Sequence, residues 1–265
     1  MEKVIRAALA AAVAAIFIAH GSQAAEVGLD APVSTAQIRP FTSDLNIQQK
    51  PVDAFSRTTR YQGTLTIGKI SFPVSGEATE RGSIKPMGKD LLWESTSQST
   101  FRFGDEGKTG TTTNRILMAP NGEIKQAGTN AKNQSMDFSR LLLVAMRPQN
   151  PVRLGQDVWR LDSLLLQLQP LFPTATVKRN SSTFKAAGKT VVQGREQLVV
   201  DGGGGVEMSI DDAMPWKLRL PSQCLIDLPT GLWSACVGAA RVEGLMGDQP
   251  VALDLQFRTA TSFGR

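Results

Sequence analysis

Residues 223–236 read QCLIDLPTGLWSAC and hold both of the chain's cysteines, Cys224 and Cys236. The middle of the stretch is a turn. Pro229 presets φ near −65° at the first corner, and Gly231 supplies the left-handed conformation that returns the chain. Read this way, the loop has three residues and Leu228 faces Leu232, which sets Cys224 opposite Cys236. Facing residues of an antiparallel pair have Cα atoms about 4.5–5.5 Å apart, within disulfide range. The expectation is an antiparallel hairpin stapled by a Cys224–Cys236 disulfide. A C-x-x-C redox or zinc spacing does not occur.

A disulfide requires an oxidising compartment, and the N-terminus provides a route to one. MEKVIRAALAAAVAAIFIAHGSQAAEV opens with Lys3 and Arg6, continues with an apolar run from Ala7 to Ala19, and then offers Ser22-Gln23-Ala24 as a small-x-small cleavage site. Residues 1–24 read as a signal peptide cleaved after Ala24, which places the mature protein in a periplasm or outside the cell. The run of 13 residues is short of the ~20 that span a bilayer. No other segment is long and apolar enough, so no transmembrane segment is expected in the mature chain. No cysteine stands at the cleavage site for lipid attachment.

Cleavage removes His20, the only histidine of the 265-residue chain. That excludes a Ser-His-Asp or Cys-His nucleophile, a histidine general base, and zinc or copper held by imidazoles. No metal site and no cofactor are expected. The remaining 27 basic and 23 acidic side chains leave the mature protein mildly basic. One tyrosine and four tryptophans are too few for the aromatic girdles of an outer-membrane barrel.

Outward from the hairpin, the grammar is that of strands. VALDLQFR puts Val251, Leu253, Leu255 and Phe257 on one face, with Asp254, Gln256 and Arg258 on the other, as a half-buried antiparallel strand does. Tyr61, Leu65 and Ile67 alternate with polar residues, Gly68-Lys69 interrupts, and the apolar set shifts to Ile70, Phe72 and Val74, marking a tight turn or bulge at Gly68. Pro120-Asn121-Gly122 signals a second hairpin, and Gly202–Gly205 a turn between strands. Residues 25–54, with Pro32, Pro40 and Pro51, show no period and read as a loosely structured leader. Two amphipathic helices are expected within residues 135–170. SMDFSRLLLVAM starts behind Ser135, and LDSLLLQLQP places Leu161, Leu164, Leu165 and Leu168 on one stripe before Pro170. They would pack on the sheet's core face or cap its open end. The fold class is therefore mainly β, of β-rich α+β type. Its curved antiparallel sheet or open half-barrel, with about two helices, forms one domain over residues 55–265.

Motifs that resemble catalytic signatures fail on context. Ser182-Thr183-Phe184-Lys185 has the S-x-x-K spacing of penicillin-recognising enzymes, but K-T-G (Lys108–Gly110) precedes it and no S-D-N element is present. Two G-K-T tripeptides lack the upstream glycine of a P-loop. One charge feature stands out. No acid occurs between Asp162 and Glu196, while Lys178, Arg179, Lys185, Lys189 and Arg195 do. This segment is expected to form a helix and then a two-stranded ribbon turning near Gly188. It is either a solvated ribbon balanced by acids elsewhere or a contact surface for an anionic envelope component. Few aromatics interleave with the charges, so no nucleic-acid partner is expected.

NPVRLGQDVWRLD (150–162) and LIDLPTGLWSACVGAARVEG (225–244) resemble elements of uncharacterised secreted bacterial β-rich families. There a Pro-x-Val-x-x-Gly-Asp-x-Trp strand start precedes a closing hairpin; here Gln156 stands between glycine and aspartate. The resemblance implies a β-rich envelope protein and no particular activity. Together these readings favour a non-catalytic periplasmic or secreted binding or scaffold module whose partner is an amphiphile, an anionic glycan or lipid, or a protein. The alternative is a histidine-free hydrolase using paired carboxylates, which would show two carboxylates converging in one pocket, whereas an amphiphile carrier would show an apolar cavity.

Overall fold

The structure is a computed structural model, and it describes residues 32–131, 148–158, 176–210, 214–219, 222–246 and 248–264. Its first half is a meander of long strands: β1 (Val52–Ile67), β2 (Ile70–Met87), β3 (Asp90–Phe103), β4 (Glu106–Met118) and β5 (Ile124–Ala131). The first three connections are two-residue turns, because Ile67 faces Ile70, Met87 faces Asp90 and Phe103 faces Glu106. Each begins with a glycine at positive φ, Gly68 at 61°, Gly88 at 63° and Gly104 at 56°, the pattern of a II′ hairpin turn, whose twist matches the flanking strands. Between β4 and β5, the loop at Pro120-Asn121-Gly122 closes on the Ala119 N–H to Glu123 carbonyl bond of 2.8 Å.

The second half comprises β6 (Thr176–Asn180), β7 (Thr183–Val192), β8 (Arg195–Gly203), β9 (Gly205–Ile210), β10 (Met214–Arg219), β11 (Ser222–Asp227), β12 (Leu232–Met246) and β13 (Gln249–Phe263). β13 pairs with β1 along 13 consecutive positions, from Phe55–Phe263 to Ile67–Val251. β12 lies on the other side of β13 and then serves two neighbours. Its first half pairs with β11, followed by β8 and β7, and its second half pairs with β10, followed by β9 and β6. Every pairing is antiparallel, and the sheet is open: β5 and β6 end its main path without meeting. Gly204, at φ 75°, is the corner where the chain leaves one branch for the other, since β8 and β9 do not pair with each other.

The hairpin at 223–236 forms with its disulfide, Cys224–Cys236, at a Cα–Cα distance of 4.1 Å. The loop is one residue longer than its turn chemistry suggests: Asp227, not Leu228, faces the returning strand at Leu232. A bulge then restores the register. Ile226 faces Trp233, Leu225 faces Ala235, and Ser234 is the extra residue, so the cysteines meet after all. The longer loop is held by the Asp227 carboxylate. It is fully buried and accepts hydrogen bonds from the Thr230 N–H (3.1 Å) and hydroxyl (2.6 Å), from Gln197 Nε2 (3.0 Å), and from Arg195 Nε and Nη2 (2.7 and 2.6 Å). Burial pushes this carboxyl up, but the Arg195 and Thr230 hydrogen bonds outweigh it and hold the group below the ordinary carboxylate range. Above the guanidinium, Phe263 of β13 stacks at 5.0 Å.

One further expectation is corrected. The acid-free segment does not form a ribbon turning near Gly188: β6 pairs with β9, β7 pairs with β8, and the turn is Gln193-Gly194, with φ of 50° and 75°. Gly188 lies inside β7, next to a bulge, where a Cβ would sit 2.6 Å from the Arg39 carbonyl oxygen. The glycine marks where another segment crosses the strand. That segment is the leader: Arg39 and Lys189 exchange backbone hydrogen bonds of 2.8 and 2.7 Å, Leu45 and Val152 do likewise, and Val33 and Ile47 are buried beneath. The two expected helices, at 135–146 and 161–170, lie outside the described residues, as do residues 1–24. Among the described residues the only helical element is one 3-10 turn, Thr35–Gln37, and no helix is long and apolar enough to cross a membrane.

The core lies on one face of the sheet. At one end of the strands Tyr61, Leu65, Leu253, Leu255 and Phe257 pack with Phe184, Val200 and Ile226 of the β11 branch. At the other end Phe55, Ile84, Leu91, Trp93, Ile116 and Met118 form a second cluster. Burial pushes the Tyr61 hydroxyl up to about 12. The opposite face of β1 to β4 and β13 carries Thr, Gln, Arg and Glu toward solvent, as period-2 alternation dictates.

Candidate functional site: a polar groove on the solvent face

Four of the five cations in the acid-free segment stand beside acids contributed by other strands. Arg195 is paired with Asp227, as above. Lys189 Nζ lies 3.1 Å from Glu196 Oε1. The register sets Lys185 opposite Asp201 and Arg179 opposite Glu207. Lys178, the bulged residue of β6, is exposed like Arg179 on the outer strand of its branch. Burial raises the Asp201 carboxyl above its ordinary range, against the opposing hydrogen bond from Gln223. The segment therefore contributes exposed charge at Lys178, Arg179 and Lys185, spread over two branch ends.

A concave feature lies elsewhere, on the solvent face of the sheet's centre. Two adjoining pockets of about 770 and 640 Å³ share Gln62 and Ser75, and together they run across β4, β3, β2, β1, β13, β12 and β10. The first presents Arg60, Glu77, Gln98 and Arg102 among threonines and serines. The second presents Arg219, Arg241, Asp254 and Gln256. The lining thus holds four arginines against two carboxylates, and the carboxylates are committed: Glu77 is paired with Arg60, and Asp254 lies 3.7 Å from Arg241. Arg241 also bonds Glu243 at 2.8 Å, and these hydrogen bonds and charges raise its already high pKa. Arg102 and Arg219 have no ion-pair partner among the described residues. They stand in different halves of the groove. No aromatic ring other than the buried Tyr61 contributes to the lining.

Glu77 and Asp254 do not form a catalytic dyad. Asp254 faces Thr64 and Glu77 faces Arg60, so they are two strands apart and four residues out of level, about 16 Å by standard sheet spacings. Glycoside hydrolysis needs its two carboxyls within about 10 Å. Among the described residues no group of three His, Cys, Asp or Glu side chains is arranged to hold a metal ion.

Sequence reasoning does not single out the groove residues. Each is an ordinary outward polar position, and Arg60, Arg102, Arg219 and Arg241 come from four strands scattered over about 180 residues. Alternation reveals which way such residues face, but only the strand order shows that they converge.

No family model matches the chain, and no curated protein matches it. Among solved structures, similar chains include DynF from the dynemicin biosynthesis pathway of Micromonospora chersina, 11% identical, with 89% of this chain and 93% of that chain covered at a TM-score of 0.23. Another is a DUF1329 family protein from Desulfovibrio piger, 8% identical, with 78% and 85% covered at a TM-score of 0.19. Likeness at this level transfers no activity.

Proposed function

We propose that this protein is a non-catalytic periplasmic or secreted binding module, and that it holds an anionic envelope component, a charged glycan or lipid headgroup, along the groove of its solvent face. The observation that carries the reading is the charge state of the groove: its carboxylates are neutralised by Arg60 and Arg241, which leaves Arg102 and Arg219 to face an incoming anion. Arginine suits phosphate and carboxylate because its planar fork donates two parallel hydrogen bonds. Threonine, serine and glutamine side chains between the arginines match a hydroxyl-rich ligand, and the length of the groove suits an extended one. A Cys224–Cys236 disulfide is in keeping with an oxidising compartment. The hydrolase reading loses support from the separation of Glu77 and Asp254.

Titration of the full mature chain with lipopolysaccharide tests this. Binding should weaken as salt rises, because exposed charges are screened within about 10 Å at 0.1 M. Exchanging Arg102→Glu and Arg219→Glu together should weaken it at least roughly tenfold, about 1.4 kcal/mol, with an unchanged melting temperature. Charge reversal at Arg179 and Lys185 is the comparison. If that pair abolishes binding and the groove pair does not, the contact lies on the outer strands; binding indifferent to salt and to both pairs refutes an anionic ligand.

A further inference from the structure

The core face carries a second polar feature, independent of the groove. Cross-strand register aligns Arg57, Glu80, Ser97 and Thr112 in one row, and Phe55, Gly82, Ser95 and Asn114 in the next. Below them lies the cluster around Trp93 and Ile116. Glu80, Ser95, Asn114 and Trp93 are at most 6% exposed. Among the described residues, five of their polar atoms have no hydrogen-bond partner: Glu80 Oε1, Ser95 Oγ, Trp93 Nε1, and both Asn114 amide atoms. The other Glu80 oxygen accepts from Arg57 Nη1 at 3.4 Å, so its charge is matched. Arg57 is fixed in turn by Thr261 and by the faces of Phe55 and Trp93, at 5.9 and 5.6 Å.

A folded domain does not tolerate this many orphaned polar groups unanswered, since their combined cost rivals its whole stability. Apolar residues would have filled the same rows at no such cost. The set also has a way in. Along the same face of β3, Ser95 is buried, Ser97 is half-buried and Ser99 is exposed, and Thr112 and Gly110 of β4 follow the same gradient away from Asn114. A strip of hydroxyls about 13 Å long therefore runs from solvent to the buried amide.

We propose that this strip is a binding site for a neutral molecule bearing both hydroxyl and amide groups, an N-acetylated amino sugar being the class that carries both. The chemistry follows from the atoms. Asn114 Nδ2 and Trp93 Nε1 donate, Glu80 Oε1 and Asn114 Oδ1 accept, and Ser95 does either, so the complementary ligand presents donors and acceptors together. With the Arg57–Glu80 pair already neutral, a charged ligand would be desolvated here without compensation.

The test uses the full mature chain labelled with 15N at tryptophan and titrated with N,N′-diacetylchitobiose. The indole N–H resonance of Trp93, assigned by its loss in Trp93→Phe, should shift with saturation. Ser95→Ala with Asn114→Leu should weaken binding at least roughly tenfold without lowering the melting temperature, because each removes an orphaned group. Should that variant misfold, Ser97→Ala with Thr112→Val at the half-buried end of the strip should reduce affinity by a smaller factor. The groove pair Arg102→Glu and Arg219→Glu should leave this binding unchanged. Absence of any Trp93 shift at millimolar disaccharide, or binding lost with the groove pair and kept in both strip variants, overturns the proposal and leaves the strip to ordered water.

Discussion

Replacing Arg195 with methionine removes the positive charge that, among the described residues, alone pairs with Asp227, a carboxylate with no solvent exposure. Breaking a buried ion pair from one side costs about 3–5 kcal/mol, but 40% of the Arg195 side chain is exposed, so part of its effect is already screened and about 2–3 kcal/mol is expected. For a domain of this size, that lowers the melting temperature by about 5–10 °C. The sign of the pH dependence is a sharper criterion. In the natural protein the Asp227 carboxyl is held below its unfolded value, so its contribution is present above about pH 4 and is lost as pH falls through the folded value. In the Arg195→Met variant burial dominates and the carboxyl rises above its unfolded value, so folding is penalised as pH rises through it. The gap between variant and natural protein should therefore be widest near neutrality and narrow toward about pH 4. Asp227→Asn should cost less at neutral pH, because Arg195 can turn toward water while Asp227 cannot. Melting curves from neutral to acid pH, followed by circular dichroism, measure all three. A melting point for Arg195→Met within about 2 °C of the natural protein, with a gap that does not change with pH, would refute the assigned role of this pair.

Serine at Cys224 and Cys236 together should cost about 3 kcal/mol by the chain-entropy estimate for a loop of this size, read as a lower melting temperature and yield; two reactive thiols in the native protein would show that no staple forms. Gly82→Ala should destabilise far more than Gly88→Ala. A Cβ at Gly82 would overlap the Glu94 carbonyl oxygen, whereas one at Gly88 meets nothing and costs only the ~1 kcal/mol of a positive φ; equal melting points would mean that β2 and β3 are less tightly coiled together than described.

The strands with strict alternation are legible in the sequence: the core positions of β13 and the shift from odd to even at Gly68 follow from residue order alone, as does the hairpin bearing the cysteines. Turn propensity misses the loop of that hairpin by one residue, because Asp227 extends it through side-chain hydrogen bonds that propensity does not encode, and the bulge at Ser234 cancels the error. Gly188 reads as a turn for a related reason. A glycine needed for close approach of a distant segment, here Arg39, looks the same in sequence as a glycine needed for a left-handed corner. The groove and the buried strip are illegible because each is assembled across strands, and a serine at an inward position carries no mark of its neighbour on the next strand.

The long pairing of β1 with β13 joins the first strand of the sheet to the last, about 200 residues later. The meander from β1 to β5 consists of local hairpins and can zip up as soon as it is made, whereas β1 keeps an open edge until residues 249–263 follow. During that interval the nascent chain presents 16 residues of unpaired backbone to anything with a strand to offer, including a second copy of itself. Arg57 and Arg60 punctuate that edge with charge. The β1–β13 closure is thus expected to be the late, concentration-sensitive event of maturation, at which a chaperone would act to most effect.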